Sequence, residues 1–95
     1  MLKVIVTCRV RPGSAEAFLV LARRLAAAAR GEPGCSTYQV CQDVGDGNTI
    51  LLVEEWETRE ALGAHLATAT FRELTDRMVP MHSGEPEYRT CLVTG

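Results

Sequence analysis

The chain has 95 residues, with ten Lys or Arg and twelve Asp or Glu intermixed, which gives a formal net charge of −2. This length predicts one small domain, residues 1–95, and the near balance of charge argues against binding to nucleic acid or to an anionic membrane. The first residues enter a strand pattern directly, without the pattern of a secretory signal, and we therefore expect a cytoplasmic protein.

The chain begins with a strand followed by an amphipathic helix. Apolar and polar residues alternate over residues 2–11, which is the period of a strand with one apolar face. Pro12 and Gly13 end this strand, Ser14 is placed to cap a helix, and apolar residues then recur at helical spacing over about four turns. We expect Gly31 to end that helix in the left-handed conformation.

Two further strands follow, joined by a short loop. Residues 35–42 are rich in Thr, Tyr, Val and Cys and carry several polar residues, which indicates a strand near a sheet edge. The loop at 43–48 contains two glycines, as hairpin connections commonly do. Residues 50–53 are apolar without alternation, which is typical of a strand covered on both faces.

Charged and aromatic side chains end that third strand. We expect Glu54 and Glu55 to be solvated or ion-paired, and Trp56 is the only tryptophan. Thr58 is the predicted N-cap of the helix that follows. One face of that helix is expected to point inward and carries Ala61, Leu62, His65 and Leu66.

The last third of the chain predicts another helix and a fourth strand. Thr68 and Thr70 are candidate caps, and Thr70 has a glutamate at capping-box spacing. The helix should end before Pro80, residues 82–86 should form a loop, and residues 88–94 should form the strand.

The order of these elements predicts an α+β fold of the ferredoxin-like βαββαβ type, with a four-stranded antiparallel sheet and the helices on one face. Helices on one face leave the second face of strand 50–53 uncovered. We therefore expect a homodimer whose sheets pack face to face, a dimeric α/β barrel.

The four cysteines do not have the spacing of a disulfide framework or a metal site. Cys35 and Cys41 lie about 20 Å apart if they share a strand. Cys8 and Cys91 belong to the first and last strands, and we expect both to be small buried hydrophobic residues. No metal is expected.

Several short motifs in this order resemble the antibiotic biosynthesis monooxygenase (ABM) domain over about residues 2–93. They are Arg11-Pro-Gly13, Glu32-Pro-Gly34, Glu54-Glu-Trp56, the run Arg59 to His65, and Thr68-x-x-Phe71. The resemblance implies the fold above, a dimer built through the sheets and a pocket between each sheet and its helices. Relatives of this kind include cofactor-independent oxygenases of phenols and quinols, haem-degrading enzymes and an isomerase of a signalling sugar derivative.

The haem-degrading branch relies on an Asn, Trp and His set. In this chain His65 and Thr75 stand where that Trp and His would be, so we expect neither haem nor any other cofactor. The resemblance instead implies a reaction of dioxygen with an electron-rich aromatic substrate.

The candidate catalytic residues are His65, as a base, and Trp56, as a donor to a substrate oxygen through its indole N–H. A histidine changes charge near neutral pH, which suits proton transfer. The expected substrate-binding residues would line an apolar pocket and are Tyr38, Leu52, Leu62, Phe71 and Met78.

Each of these residues also has a structural interpretation. His65 and Trp56 could be ordinary core residues. Three arginines could bind a substrate anion or form surface salt bridges, namely Arg9, Arg72 and Arg89. Tyr88 and His82 could close the pocket or form a rim without a chemical role.

The sequence thus predicts a cofactor-independent monooxygenase of a small aromatic quinol or phenol. The alternatives are an isomerase acting through an enediol and a non-catalytic dimeric ligand-binding or stress-response protein. The order of elements would also permit an RNA-recognition module, but the first strand has neither stacking aromatics nor a basic surface, which argues against it.

Overall fold

The computed structural model describes residues 1–95 and contains one four-stranded antiparallel sheet. Its strands are β1 (Leu2–Arg9), β2 (Cys35–Gln42), β3 (Thr49–Trp56) and β4 (Glu87–Leu92), arranged in the order β2-β3-β1-β4. The helices are α1 (Ala15–Arg30), α2 (Arg59–Leu66) and α3 (Ala69–Met78), and a 3-10 turn covers Val79–Met81. This architecture confirms the predicted ferredoxin-like α+β fold.

The hydrophobic core lies between the helices and one face of the sheet. Residues 4, 6 and 8 of β1 point to the helices and pack with the apolar face of α1, including Phe18 and Leu25. In β3 every second side chain is buried on this same side: Ile50, Leu52, Glu54 and Trp56. Thus β3 alternates in burial even though its sequence over 50–53 does not alternate in polarity.

The opposite side of the sheet, which we call the open face, has an apolar centre. Ile5 stands opposite Val53 across β1 and β3, and both are half-buried, as is Leu51. Two surface ion pairs flank this centre: Lys3 with Glu55 at 3.5 Å and Arg9 with Glu87 at 3.0 Å. No helix of this chain packs on the open face, so the expected second cover for β3 is absent from the single chain.

The turn between α1 and β2 differs from the prediction. Gly31 has φ −88°, so the expected left-handed end of α1 at this residue is wrong. The left-handed residue is Gly34, with φ +83°, and a Cβ there would lie 2.5 Å from the Cβ of Ala61. Gly34 therefore allows both the turn and the close approach of the chain to α2.

Threonine caps begin both short helices. Thr58 Oγ1 accepts a hydrogen bond from the Ala61 N–H at 3.1 Å, as predicted for α2. Thr68 Oγ1 accepts one from the Phe71 N–H at 3.1 Å, and Thr70 lies inside α3. The capping box at Thr70 is wrong because Thr68 already caps this helix. Ser14 occupies the N-cap of α1 without a side-chain capping bond.

All four cysteines are free thiols. Cys8 is buried as predicted, but the prediction of a buried Cys91 is wrong for the single chain. Cys91 pairs with Lys3 and shares the open face, whereas Cys8 faces the helices. No group of three His, Cys, Asp or Glu side chains is placed to hold a metal ion, and no helix has the length and apolarity needed to cross a membrane.

Candidate functional site

A cavity of about 600 Å³ lies between the inward face of the sheet and the helices α2 and α3. This volume falls within the range typical of small-molecule sites, roughly 300–1,000 Å³. All five residues predicted to bind substrate are in its wall, which is mainly apolar: Tyr38, Leu52, Leu62, Phe71 and Met78. The structure brings these five residues together, and their contact with a substrate stays a prediction.

The segment 82–86, between the 3-10 turn and β4, forms one side of the cavity together with Tyr88. The His82 ring packs edge-on against Phe18, with ring centres 5.3 Å apart, and its Nδ1 is buried without a hydrogen-bond partner. Burial lowers the pKa of His82, because it disfavours the imidazolium. The side chain is therefore an uncharged part of the wall at neutral pH.

A buried carboxylate, Glu54, also lies in the cavity wall and is only 4% exposed. The Trp56 indole N–H donates a hydrogen bond to Glu54 Oε1 at 2.8 Å. Burial raises the pKa of Glu54. The hydrogen bond from Trp56 is the largest effect that opposes this shift, and His65 and Tyr38 oppose it to a smaller extent. The cavity thus contains a carboxyl group whose proton affinity exceeds that of a solvated glutamate.

The expectation that Glu54 is solvated or ion-paired is wrong, whereas Glu55 does pair with Lys3 on the open face. The reason is the strand period of two, which places Glu54 on the inward side between Leu52 and Trp56. The sequence signal that could have identified Glu54 as a site residue is its spacing of two from Trp56, because residues i and i+2 of a strand share a face.

Tyr38 stands opposite Glu54 across β2 and β3, and its side chain is buried. Burial and the neighbouring Glu54 carboxylate raise the pKa of the Tyr38 phenol. Tyr38 therefore remains a neutral hydroxyl at physiological pH and can donate a hydrogen bond. A hydroxyl donor and a carboxylate acceptor thus share one part of the cavity wall.

His65 lies behind this wall and is 1% exposed. Its ring centre is 4.6 Å from that of Trp56, 5.1 Å from that of Phe71 and 5.9 Å from that of Tyr38. Its Nδ1 is 2.7 Å from Glu32 Oε1, and its Nε2 is buried without a partner. Phe71 and Tyr38 line the cavity, while His65 itself does not. His65 instead borders a second cleft of about 460 Å³ beside Glu32.

Trp56 is fully buried and is likewise absent from the cavity wall. Its N–H is already used in the bond to Glu54, so the expected donation to a substrate oxygen does not fit the structure. The two predicted catalytic residues therefore form a layer behind the cavity, and sequence reasoning missed Glu54, a buried carboxyl group that lines it.

Comparison with known proteins identifies the family. Residues 1–77 match the sequence model of the family described as antibiotic biosynthesis monooxygenase. The chain belongs to the ABM family.

The ABM relationship extends to individual proteins. The chain is 34% identical over 64 residues to "Putative monooxygenase YcnE" of Bacillus subtilis, with 67% of each chain covered. It is 33% identical over 69 residues to an uncharacterised Synechocystis protein, covering 73% of this chain and 47% of that relative. The match thus spans about half the length of the Synechocystis protein.

Solved ABM structures share the whole fold. A crystal structure of an antibiotic biosynthesis monooxygenase superposes with a TM-score of 0.94 at 29% identity and covers 100% of both chains. The Pseudomonas aeruginosa protein PA3566 superposes with a TM-score of 0.91 at 28% identity, covering 99% of this chain and 94% of that one. These likenesses support a monooxygenase-like role in general terms.

The other residues of this ABM chain that were considered for the pocket lie in different parts of the structure. Arg9 and Arg89 belong to the open face, and Arg72 is exposed on α3, so none of the three lines the cavity. Leu66 was expected to point inward, and it lines the cavity but is half exposed. Tyr88 is largely exposed and lines the same cavity as His82.

Proposed function

We propose that this ABM protein is a cofactor-independent monooxygenase that oxidises a small aromatic quinol or phenol in the 600 Å³ cavity. The observation that carries the proposal is one buried carboxyl group, Glu54, in a mainly apolar and aromatic wall. Such a wall favours a flat apolar ring, and the carboxylate supplies a proton acceptor where water is scarce. Family membership supports the broader class of reaction.

In the proposed reaction Glu54, rather than His65, accepts the hydroxyl proton of the substrate. The phenolate gives one electron to dioxygen, and the resulting phenoxyl radical and superoxide join at a ring carbon that carries hydrogen. The peroxide anion formed in this way takes the proton back from Glu54. Loss of water from the resulting peroxide leaves a carbonyl, so a phenol and O₂ yield a quinone and H₂O. The raised pKa of Glu54 brings the base closer to the pKa of a phenol and so favours the first step.

The neighbouring side chains have positioning roles in this proposal. The Tyr38 hydroxyl is placed beside Glu54 to bind the substrate oxygen as charge develops on it. Trp56 orients Glu54 through the 2.8 Å hydrogen bond. His65 holds Trp56 from behind by ring contact and is itself fixed by Glu32.

We further propose that the working unit is a homodimer in the cytoplasm, joined through the open faces of two sheets. Ile5, Leu51 and Val53 give each open face an apolar centre, and their burial would contribute to association at about 25 cal/mol per Å² before the cost of binding. A second copy would complete the cover of β3 on both sides. The cavity opens on the other side of the sheet and stays accessible.

The test is parallel aerobic and anaerobic incubation with a panel of naphthols, hydroquinones and anthrones, following oxygen consumption and product mass. The proposal predicts consumption of one O₂ per product and one added oxygen atom with no added metal or flavin. Turnover of a hydroxy-carbonyl compound without oxygen consumption would instead identify an isomerase. Ligand binding without turnover across the whole panel would indicate a binding protein and contradict the proposal.

A further inference from the structure

The cavity wall contains acidic side chains but no lysine or arginine. Glu54 lies in the interior of the wall and Glu85 in the exposed segment 82–86. No Lys or Arg is among the twenty residues that line the cavity. The ionisable His82 is uncharged at neutral pH because burial lowers its pKa. The side chains of the wall that can carry a full charge at neutral pH are therefore both carboxyl groups.

Several basic side chains are engaged in contacts outside the cavity. Arg30 donates two hydrogen bonds to the main-chain oxygen of Tyr38, at 3.0 and 2.7 Å. Arg11 donates one to the main-chain oxygen of His82 at 3.1 Å. Lys3 and Arg9 are paired on the open face. None of the ten basic residues is thus placed to receive an anionic group inside the cavity.

From this distribution we infer that the cavity selects neutral or positively charged aromatic substrates and rejects aromatic carboxylic acids. This inference rests on the proposed function for its use in catalysis, but it concerns binding and is tested separately.

The physical reason is the cost of moving a second carboxylate from water into this wall. A buried charge without a counter-charge loses its hydration with little compensation. A carboxylate on the substrate would also be repelled by Glu54, and this repulsion is stronger in an apolar environment than in water. A neutral ester or amide of the same acid avoids both penalties. An ammonium group would gain from Glu85, by a smaller amount because that residue is exposed and screened.

A matched pair of probes isolates the charge: methyl 6-hydroxy-2-naphthoate and 6-hydroxy-2-naphthoate, which have the same ring and carry the carboxyl group too far from the hydroxyl for an internal hydrogen bond. Anaerobic calorimetric titration measures binding without turnover. We expect the ester to bind at least about tenfold more tightly than the acid, which corresponds to about 1.4 kcal/mol. Equal affinities, or tighter binding of the acid, would overturn the inference.

Two variants locate the effect. Glu85→Lys places a cation in segment 82–86 and should bring the affinity of the acid toward that of the ester. Glu73→Lys makes the same change in net charge on the exposed side of α3, away from the cavity, and should leave the ratio unchanged. An equal change of the ratio in both variants would overturn the assignment to the cavity, since it would reflect overall charge.

Oxygen uptake with the same two probes separates this inference from the proposed reaction. Selective binding of the ester without oxygen consumption would support the charge selection and contradict the monooxygenase. Oxygen consumption at equal kcat/KM for both probes would support the monooxygenase and contradict the charge selection. Binding of neither probe would contradict both.

Discussion

The indole N–H of Trp56 donates a 2.8 Å hydrogen bond to Oε1 of Glu54, two residues before it on β3. Both side chains are buried on the helix side of the sheet. The bond joins the only tryptophan of the chain to the only carboxylate in the interior of the cavity wall. It lowers the free energy of the ionised carboxylate and fixes its orientation, so much of the proposed chemistry depends on this pair.

Replacement of Trp56 by Phe should remove the bond and leave a buried carboxylate oxygen without its donor. We expect unfolding to become easier by about 1–3 kcal/mol in urea denaturation. The pKa of Glu54 should also rise further, because the bond opposes the effect of burial, and the pH of half-maximal kcat/KM should move upward. An unchanged pH profile in a folded variant would contradict the assignment of the bond to the base.

Replacement of Glu54 by Gln should change how stability depends on pH. The folded-state pKa of Glu54 is raised above its usual value of 4.5. At a pH below 4.5 the wild-type side chain therefore makes its full contribution to the stability of the fold. This contribution is lost as pH rises through the raised pKa, since the buried group must then ionise. The Tm difference between variant and wild type should therefore increase in favour of the variant from pH 4 to pH 8. Glu73→Gln, at an exposed glutamate, is the matched control and should show no such trend.

The role of His65 is tested by keeping an aromatic ring at its position. His65→Phe preserves contact with Trp56 and Phe71 but loses the bond to Glu32. If His65 only supports the wall, kcat should stay within about threefold of wild type, whereas loss of a general base costs roughly 10²–10⁴-fold. His65→Ala should instead destabilise the fold by roughly 2–4 kcal/mol through the cavity it leaves. A large loss of kcat in well-folded His65→Phe would restore His65 as the base.

A charged residue introduced on the open face tests the homodimer. Val53→Lys places an ammonium at the apolar centre of this face, and we expect a folded monomer in sedimentation velocity at micromolar concentration. Val20→Lys, at an exposed position of α1, is the control and should stay dimeric. A wild-type monomer at this concentration would remove the open face as a dimer interface.

The sequence predicted the fold well because its signals are local. Strand alternation in β1, the Thr58 cap and the glycine-containing hairpin loop each indicate their own element. The wrong prediction of a left-handed Gly31 shows the limit of such signals. The glycine is needed at position 34 because the chain there approaches Ala61, which is 27 positions away along the sequence.

The site was predicted only in part, for a related reason. The five apolar and aromatic wall residues follow from the faces of their strands and helices. The apolar run over 50–53 concealed the period of two that places Glu54 inward with Leu52. The pairing of Glu32 with His65 joins residues 33 positions apart and depends on how the turn between α1 and β2 meets α2. No local pattern carries that information.

The most direct test of the central claim is oxygen uptake by wild type and Glu54→Gln with the same neutral naphthol. Glutamine keeps the size of the side chain and can accept the Trp56 hydrogen bond, but it cannot accept the substrate proton. The account predicts a fall in kcat of roughly 10²–10⁴-fold with KM nearly unchanged. A Glu54→Gln protein that consumes oxygen at the wild-type rate would contradict it.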